Sequence, residues 1–321
     1  MHKKATILLI TLLIACVFCY AQSKTAIPQK GEGLHAFLIR NKLSVSKHKT
    51  KFIELNKGKF GKNNSLLAGV VYELPDDEVN FEIPLFGKKY KKFKQRTTAL
   101  NGAVFYLVSG HGGPDPGAVG HYMKKPLHED EYAYDVTLRL ARKLMENGAK
   151  VYVIIQDIKD GIRDAAVLSN SKRETCMGKR IPINQLKRLK QRTDAVNKLY
   201  HKDKSSYKRC IVLHVDSRTK TKKLDVFFYH HPKSSKGKRL VNSIADTFSE
   251  KYGKHQPGRG FSGTVSDREL YVVRKTIPPV AFIELGNIQN RRDQLRFVKP
   301  NNRQALANWI YEGIKNDFQK K

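Results

Sequence analysis

Ala103-Val104-Phe105-Tyr106-Leu107-Val108-Ser109-Gly110-His111-Gly112-Gly113-Pro114-Asp115-Pro116-Gly117-Ala118 is the stretch on which the fold turns. Its apolar start is too short for a helix and is stopped by glycine, so it reads as a strand buried on both faces. The strand runs straight into a turn that holds a histidine among glycines and prolines. Glycine lets a backbone fold tightly and leaves room for a ligand against it. In an open α/β sheet, ligands bind beyond the carboxyl ends of the strands, so the residues that follow each strand become the candidates for chemistry.

The pattern continues downstream. Asp135 to Glu146 reads as an amphipathic helix with Val136, Leu140, Ala141 and Leu144 on one face, closed by Asn147-Gly148. Val151 to Ile155, Cys210 to Val215, Leu224 to Tyr229 and Pro279 to Glu284 read as further strands, and 184–200, 235–252 and 302–317 as helices. This alternation predicts an α/β domain over residues 101–321, a mainly parallel sheet flanked by helices. Arg163 to Lys208 reads as a very basic insertion. Trp309 falls at core spacing with Leu306, Ile310 and Ile314 and is read as packing.

Beyond the strand ends stand His111, His214 and Glu284, and the cluster His128-Glu129-Asp130-Glu131 leads into the first helix of the domain. Two imidazoles and one carboxylate are a catalytic zinc set that leaves a position open for water. His111, Glu129 and His214 are the candidate ligands, and Glu284 the free acid/base. On a helix that reaches back to residue 129, Glu129 shares the Val136/Leu140 face, while Glu131 points nearly the opposite way. If the helix starts later, Glu131 stays open as the ligand. His121, His128, His230 and His231 read as surface histidines. Arg274 either faces the cleft or makes a structural salt bridge. Cys176 and Cys210 are either a disulfide or free thiols.

At the amino end, His2-Lys3-Lys4 precedes an apolar run from Ala5 to Phe18, and small residues follow, so residues 1–21 read as a secretory signal peptide. Leu13-Ile14-Ala15-Cys16 also resembles a lipoprotein cleavage box, with lipid anchoring at Cys16 as the minor reading. The chain is therefore expected to be exported, periplasmic or extracellular. No later segment is apolar enough for a membrane helix. Gly31-Glu32-Gly33-Leu34, Phe52-Ile53-Glu54-Leu55-Asn56 and Leu67 to Pro75 read as glycine turn, helices and a strand, a small α+β module over 28–75. In that order they resemble a lysin-motif (LysM) module, which implies peptidoglycan binding. Residues 76–100 read as a linker with a basic run interleaved with Tyr90 and Phe93. The chain of 321 residues carries a formal charge of +32. Such a field speaks about partners. For an exported chain these are an anionic cell wall or membrane surface, and nucleic acid is not expected. Oligomeric state is not legible.

Gly110 to Ala118, Leu213-His214, Leu270 to Pro279 and Glu284-Leu285-Gly286-Asn287-Ile288-Gln289-Asn290 occur in order. Together, over about 103–318, they resemble the zinc-dependent N-acetylmuramoyl-L-alanine amidases. That resemblance implies one zinc held by His111, Glu129 and His214, and a water-activating Glu284. It also implies cleavage between the lactyl group of muramic acid and L-alanine. There are departures. Val108-Ser109 stand where the family has Asp-Pro, and Asp216 stands where it has Asn. Ala133 occupies the family's ligand-glutamate position, so Glu129, one turn earlier on the same face, must take its place. A non-catalytic wall-binding protein that keeps the fold, and a zinc peptidase acting on stem peptides, are the competing expectations.

Overall fold

The computed structural model describes residues 24–75, 79–221 and 225–321. The signal peptide expected over 1–21, with Cys16, lies outside them. The chain forms two compact units, one ending at Glu78 and the other starting at Val79.

The first unit contains β1 (Thr25–Ala26), α1 (Leu34–Arg40), α2 (Val45–Leu55) and β2 (Tyr72–Glu73). β1 pairs antiparallel with β2, so the unit starts ahead of residue 28. Phe37, Leu38, Phe52 and Tyr72 make its core. Asn56 ties helix to strand: its Nδ2 donates to Glu73 O at 2.8 Å, and Glu73 N donates to Asn56 Oδ1 at 2.8 Å.

The second unit opens with a hairpin, β3 (Asn80–Glu82) and β4 (Lys92–Lys94), followed by β5 (Ala103–Ser109). A second hairpin, β6 (Val119–Tyr122) and β7 (Lys125–His128), leads into α3 (Glu129–Glu146) and β8 (Lys150–Val153). Next come β9 (Ile155–Gln156), β10 (Thr175–Cys176), β11 (Lys179–Arg180), α4 (Gln185–Lys202) and β12 (Tyr207–Asp216). The chain closes with β13 (Phe227–His230), α5 (Ser235–His255), β14 (Thr264–Asp267), α6 (Tyr271–Lys275), β15 (Val280–Asn287), α7 (Arg291–Val298) and α8 (Pro300–Gln319).

Six strands form the main sheet in the order β14-β13-β15-β12-β5-β8. Only the β13–β15 pairing is antiparallel. Every residue of β5 is buried. Phe105 and Leu107 face the layer of α3, α5 and α8, whereas Val104, Tyr106 and Val108 face the layer that includes Val196 of α4 and Val272 of α6. Each such side chain contributes about 1.5–3 kcal/mol through burial, which fixes the strand that leads to His111. Trp309 packs edge-on against Phe248 and Tyr252, as a core residue should.

Three expectations are corrected. Residues 79–100 are not a linker: β3 and β4 pair, Phe86, Phe93 and Leu100 join the main core, and the Arg142 guanidinium lies 5.1 Å from the Phe93 ring centroid. Of the aromatic residues interleaved with lysines, Phe93 lies on the buried face of this hairpin and Tyr90 packs half-buried against the same core. The strand expected over 151–155 breaks at Ile154, because Ile155 and Gln156 turn away to pair with β10. His230 is buried, with its Nδ1 2.9 Å from the carbonyl of His231, and is not a surface histidine. Cys176 and Cys210 are buried free thiols. No described helix is long and apolar enough to cross a membrane.

Candidate metal centre and active site

β5 delivers His111 from its carboxyl end, β12 delivers His214, and the first turn of α3 delivers Glu129. Ligand atoms of the three residues lie within 4.8 Å of one another. Glu129 bridges the rings: its Oε2 is 3.2 Å from His111 Nε2 and its Oε1 is 2.8 Å from His214 Nδ1. The carboxylate is further held by the backbone N–H groups of Ala118 and Val215, at 2.9 and 3.0 Å. It also sits at a helix amino end, where backbone N–H groups favour negative charge. Burial opposes its charged form, but both histidines outweigh that and hold its pKa far below the ordinary glutamate value. Helix α3 does begin at residue 129, as the phase reading required. Glu131 points elsewhere, 2.7 Å from Arg163 Nη2. Ala133 is buried in the helix, and the carboxylate that stands between the two histidines is one turn nearer the helix start.

Two glycines make the close approach physically possible. A Cβ on Gly110 would sit 2.3 Å from the His214 ring. A Cβ on Gly117 would sit 2.7 Å from Glu129 Oε2 and 2.8 Å from the His111 ring.

His111 is oriented from behind. Asp115 Oδ2 lies 3.0 Å from its Nδ1, leaving Nε2 facing Glu129. Arg188 of α4 donates to the same Asp115 oxygen at 2.6 Å, and Arg192 of α4 donates to the carbonyl of His111. Burial disfavours the imidazolium, yet Asp115 and Glu129 together push the His111 pKa up to about 10. The basic stretch 163–208 therefore does not merely extend the surface, since α4 braces the site. The sequence reading missed these supporting residues. The signal for Asp115 was its position four residues after His111, within the quoted glycine turn; Arg188 and Arg192 had no local signal.

Glu284 pairs in register with His214 across the parallel β12–β15 ladder. Phe282, two residues earlier on the same face, stacks on the His214 ring at 4.7 Å. Glu284 Oε2 is shielded from solvent and has no hydrogen-bond partner among the described residues. Burial first, then the charges of Glu129 and Asp216, raise its pKa well above the ordinary glutamate value. A shielded carboxyl oxygen without a partner, beside the candidate triad, is placed to exchange a proton with a bound molecule. Asp216, the residue at the family's asparagine position, pairs with Arg218 at 2.9 Å. Arg274 is exposed at the end of α6.

Residues 106–316 match the family model described as N-acetylmuramoyl-L-alanine amidase. The chain belongs to that family. Over 252 residues it is 25% identical to the germination-specific N-acetylmuramoyl-L-alanine amidase of Bacillus subtilis, an alignment covering 76% of this chain and 93% of that one. Its fold is similar to the CwlD amidase of Clostridioides difficile, solved in complex with the GerS lipoprotein (TM-score 0.50, 16% identity, 68% of this chain and 100% of that one). It is also similar to the amidase Ami1 of Mycobacterium smegmatis (TM-score 0.50, 14% identity, 69% and 99%). The amidase is thus a peptidoglycan hydrolase, with its candidate metal triad and Glu284 at the carboxyl edge of the sheet.

Proposed function

We propose that this amidase is exported, uses zinc, and hydrolyses the amide between the lactyl group of N-acetylmuramic acid and L-alanine. In this reading His111, Glu129 and His214 hold the metal and Glu284 serves as acid/base. The carrying observation is that three ligand atoms within 4.8 Å of one another lie beside a buried, unpartnered Glu284 oxygen. Two imidazoles and a carboxylate fit zinc in kind and number. Zinc bound there would supply Lewis-acid polarisation of the scissile carbonyl and acidify the attacking water. Glu284 takes the water proton and returns it to the alanine nitrogen as that nitrogen leaves. Phe282 keeps one face of His214 dry, and Asp115 keeps the His111 ring turned so that Nε2 faces the site.

The module over 28–75 is proposed to hold peptidoglycan in the lysin-motif manner. The signal-like sequence over 1–21 supports export. The +32 charge suits an anionic wall or membrane surface.

The test is a digest of purified peptidoglycan with the zinc-loaded chain. Stem peptides beginning with L-alanine are the expected products; fragments cut inside the stem would instead assign a stem peptidase, and no products a wall binder. Glu284→Gln is expected to keep one zinc per chain and lose about 10²- to 10⁴-fold in kcat, the usual contribution of a positioned acid/base. His214→Ala is expected to lose the zinc itself, read by metal analysis.

A further inference from the structure

Three loops leave the elements that carry the proposed centre and meet around a cavity of about 290 Å³. His121 and Met123 come from the β6–β7 hairpin that runs into Glu129. Lys220 comes from the loop after His214 and Asp216. Gln289, Arg291 and Gln294 come from the turn and helix that follow Glu284. The walls are tied together. Gln289 Nε2 donates to Val119 O at 2.8 Å, Gln294 Nε2 to His121 O at 3.1 Å, and Asn290 Nδ2 to Lys220 O at 2.8 Å.

Among the described residues, no acidic one lines this cavity. Lys220 and Arg291 are exposed cations, and among the described residues neither is paired with a carboxylate. The two sides of the scissile amide differ in charge. The muramoyl side is neutral, because its lactyl carboxyl is consumed in the amide; the stem-peptide side carries free carboxylates. A cationic cavity built on the loops that follow the catalytic strands is therefore complementary to the peptide side.

Resting on the amidase reading, we propose that the Lys220/Arg291 cavity is a subsite for a free carboxylate of the stem peptide. It makes the enzyme discriminate between stems with free and amidated carboxyls. Arg291 supplies the planar fork that suits a carboxylate, and Lys220 a second positive charge.

Binding of the released peptide separates this idea from catalysis. The probes are L-alanyl-γ-D-glutamyl-diaminopimelate and the same tripeptide amidated at its carboxyls, titrated calorimetrically into the full chain. The free-acid peptide is expected to bind about tenfold tighter than the amidated one, the worth of one charge-assisted hydrogen bond. Lys220→Glu with Arg291→Glu should erase that preference, and Arg291→Lys should keep part of it. In kinetics, the double substitution should raise KM for a free-acid muramoyl-tripeptide. Equal binding of both peptides to the wild type, or a preference that survives the double substitution, overturns the subsite. Failure of the wild type to cut either muramoyl-tripeptide would count against the amidase reading instead, because the peptide titration stands without turnover.

Discussion

His111 sits at φ 56°, in the left-handed region, a conformation that costs a non-glycine residue about 1–2 kcal/mol. Its two ring nitrogens show what that conformation achieves: one faces Asp115 and the other faces Glu129. Asp115→Ala is expected to weaken zinc binding about 10- to 100-fold in a chelator competition, as loss of a ligand's supporting carboxylate usually does. Gly110→Ala should lower zinc stoichiometry for a steric reason, since the added methyl occupies the space of the His214 ring. A different effect is expected at Asp130. Burial, then the charges of Glu131 and Glu174, push its pKa up to about 9. The unfolded value is about 3.9, so the folded chain keeps a proton that the unfolded chain releases, and stability falls as pH rises from about 4 toward 9. Asp130→Asn should therefore raise Tm at pH 8 and leave it unchanged near pH 4, read by thermal melts at both values. At this scale the sequence was legible where residue type and strand end coincide, as for His111, His214 and Glu284. It was less so for Glu129, because the side chain that reaches the histidines depends on where the helix begins.

Among elements, α3 matters most, because it both delivers Glu129 and anchors the helical layer. Asp135 on α3 accepts from Arg139 at 2.7 Å and from Arg303 of α8 at 2.6 Å, and neither Asp135 nor Arg303 is exposed to solvent. Arg303 also donates to the carbonyls of Arg163 and Ala165, which pins the start of the basic stretch to the same helices. Asp135→Ala leaves the buried Arg303 guanidinium without a carboxylate and Arg139 with Asp164 alone, and is expected to cost about 3–5 kcal/mol in urea unfolding. Lys190→Ala breaks the exposed, solvent-screened Lys190–Asp194 pair on α4 and should leave the unfolding midpoint in the same assay unchanged. Periodicity revealed α3, α4, α5 and α8, since long apolar stripes survive their polar surroundings. It missed the hairpins β3–β4, β6–β7 and β10–β11. Their strands run two to four residues, too short for alternation to register, and their pairing is set by contacts with elements distant in the chain.

For the whole molecule, the division at residues 78 and 79 separates the proposed wall-holding module from the hydrolase. A chain starting at Val79 is expected to cut soluble muramoyl peptides at the wild-type rate and to be recovered less with sedimented peptidoglycan. Raising salt should weaken wall retention of the full chain, because contacts between exposed charges are screened within about 8–10 Å at physiological ionic strength. The sheet order has one more consequence. β15 lies between β12 and β13, although it follows both in the chain. Until that late strand has been made and slotted between its neighbours, Glu284 has no place beside His214. With Glu284 in its proposed role, a growing polypeptide thus carries no working hydrolytic centre, and the chain's own connectivity keeps the enzyme silent until almost all of it has been made.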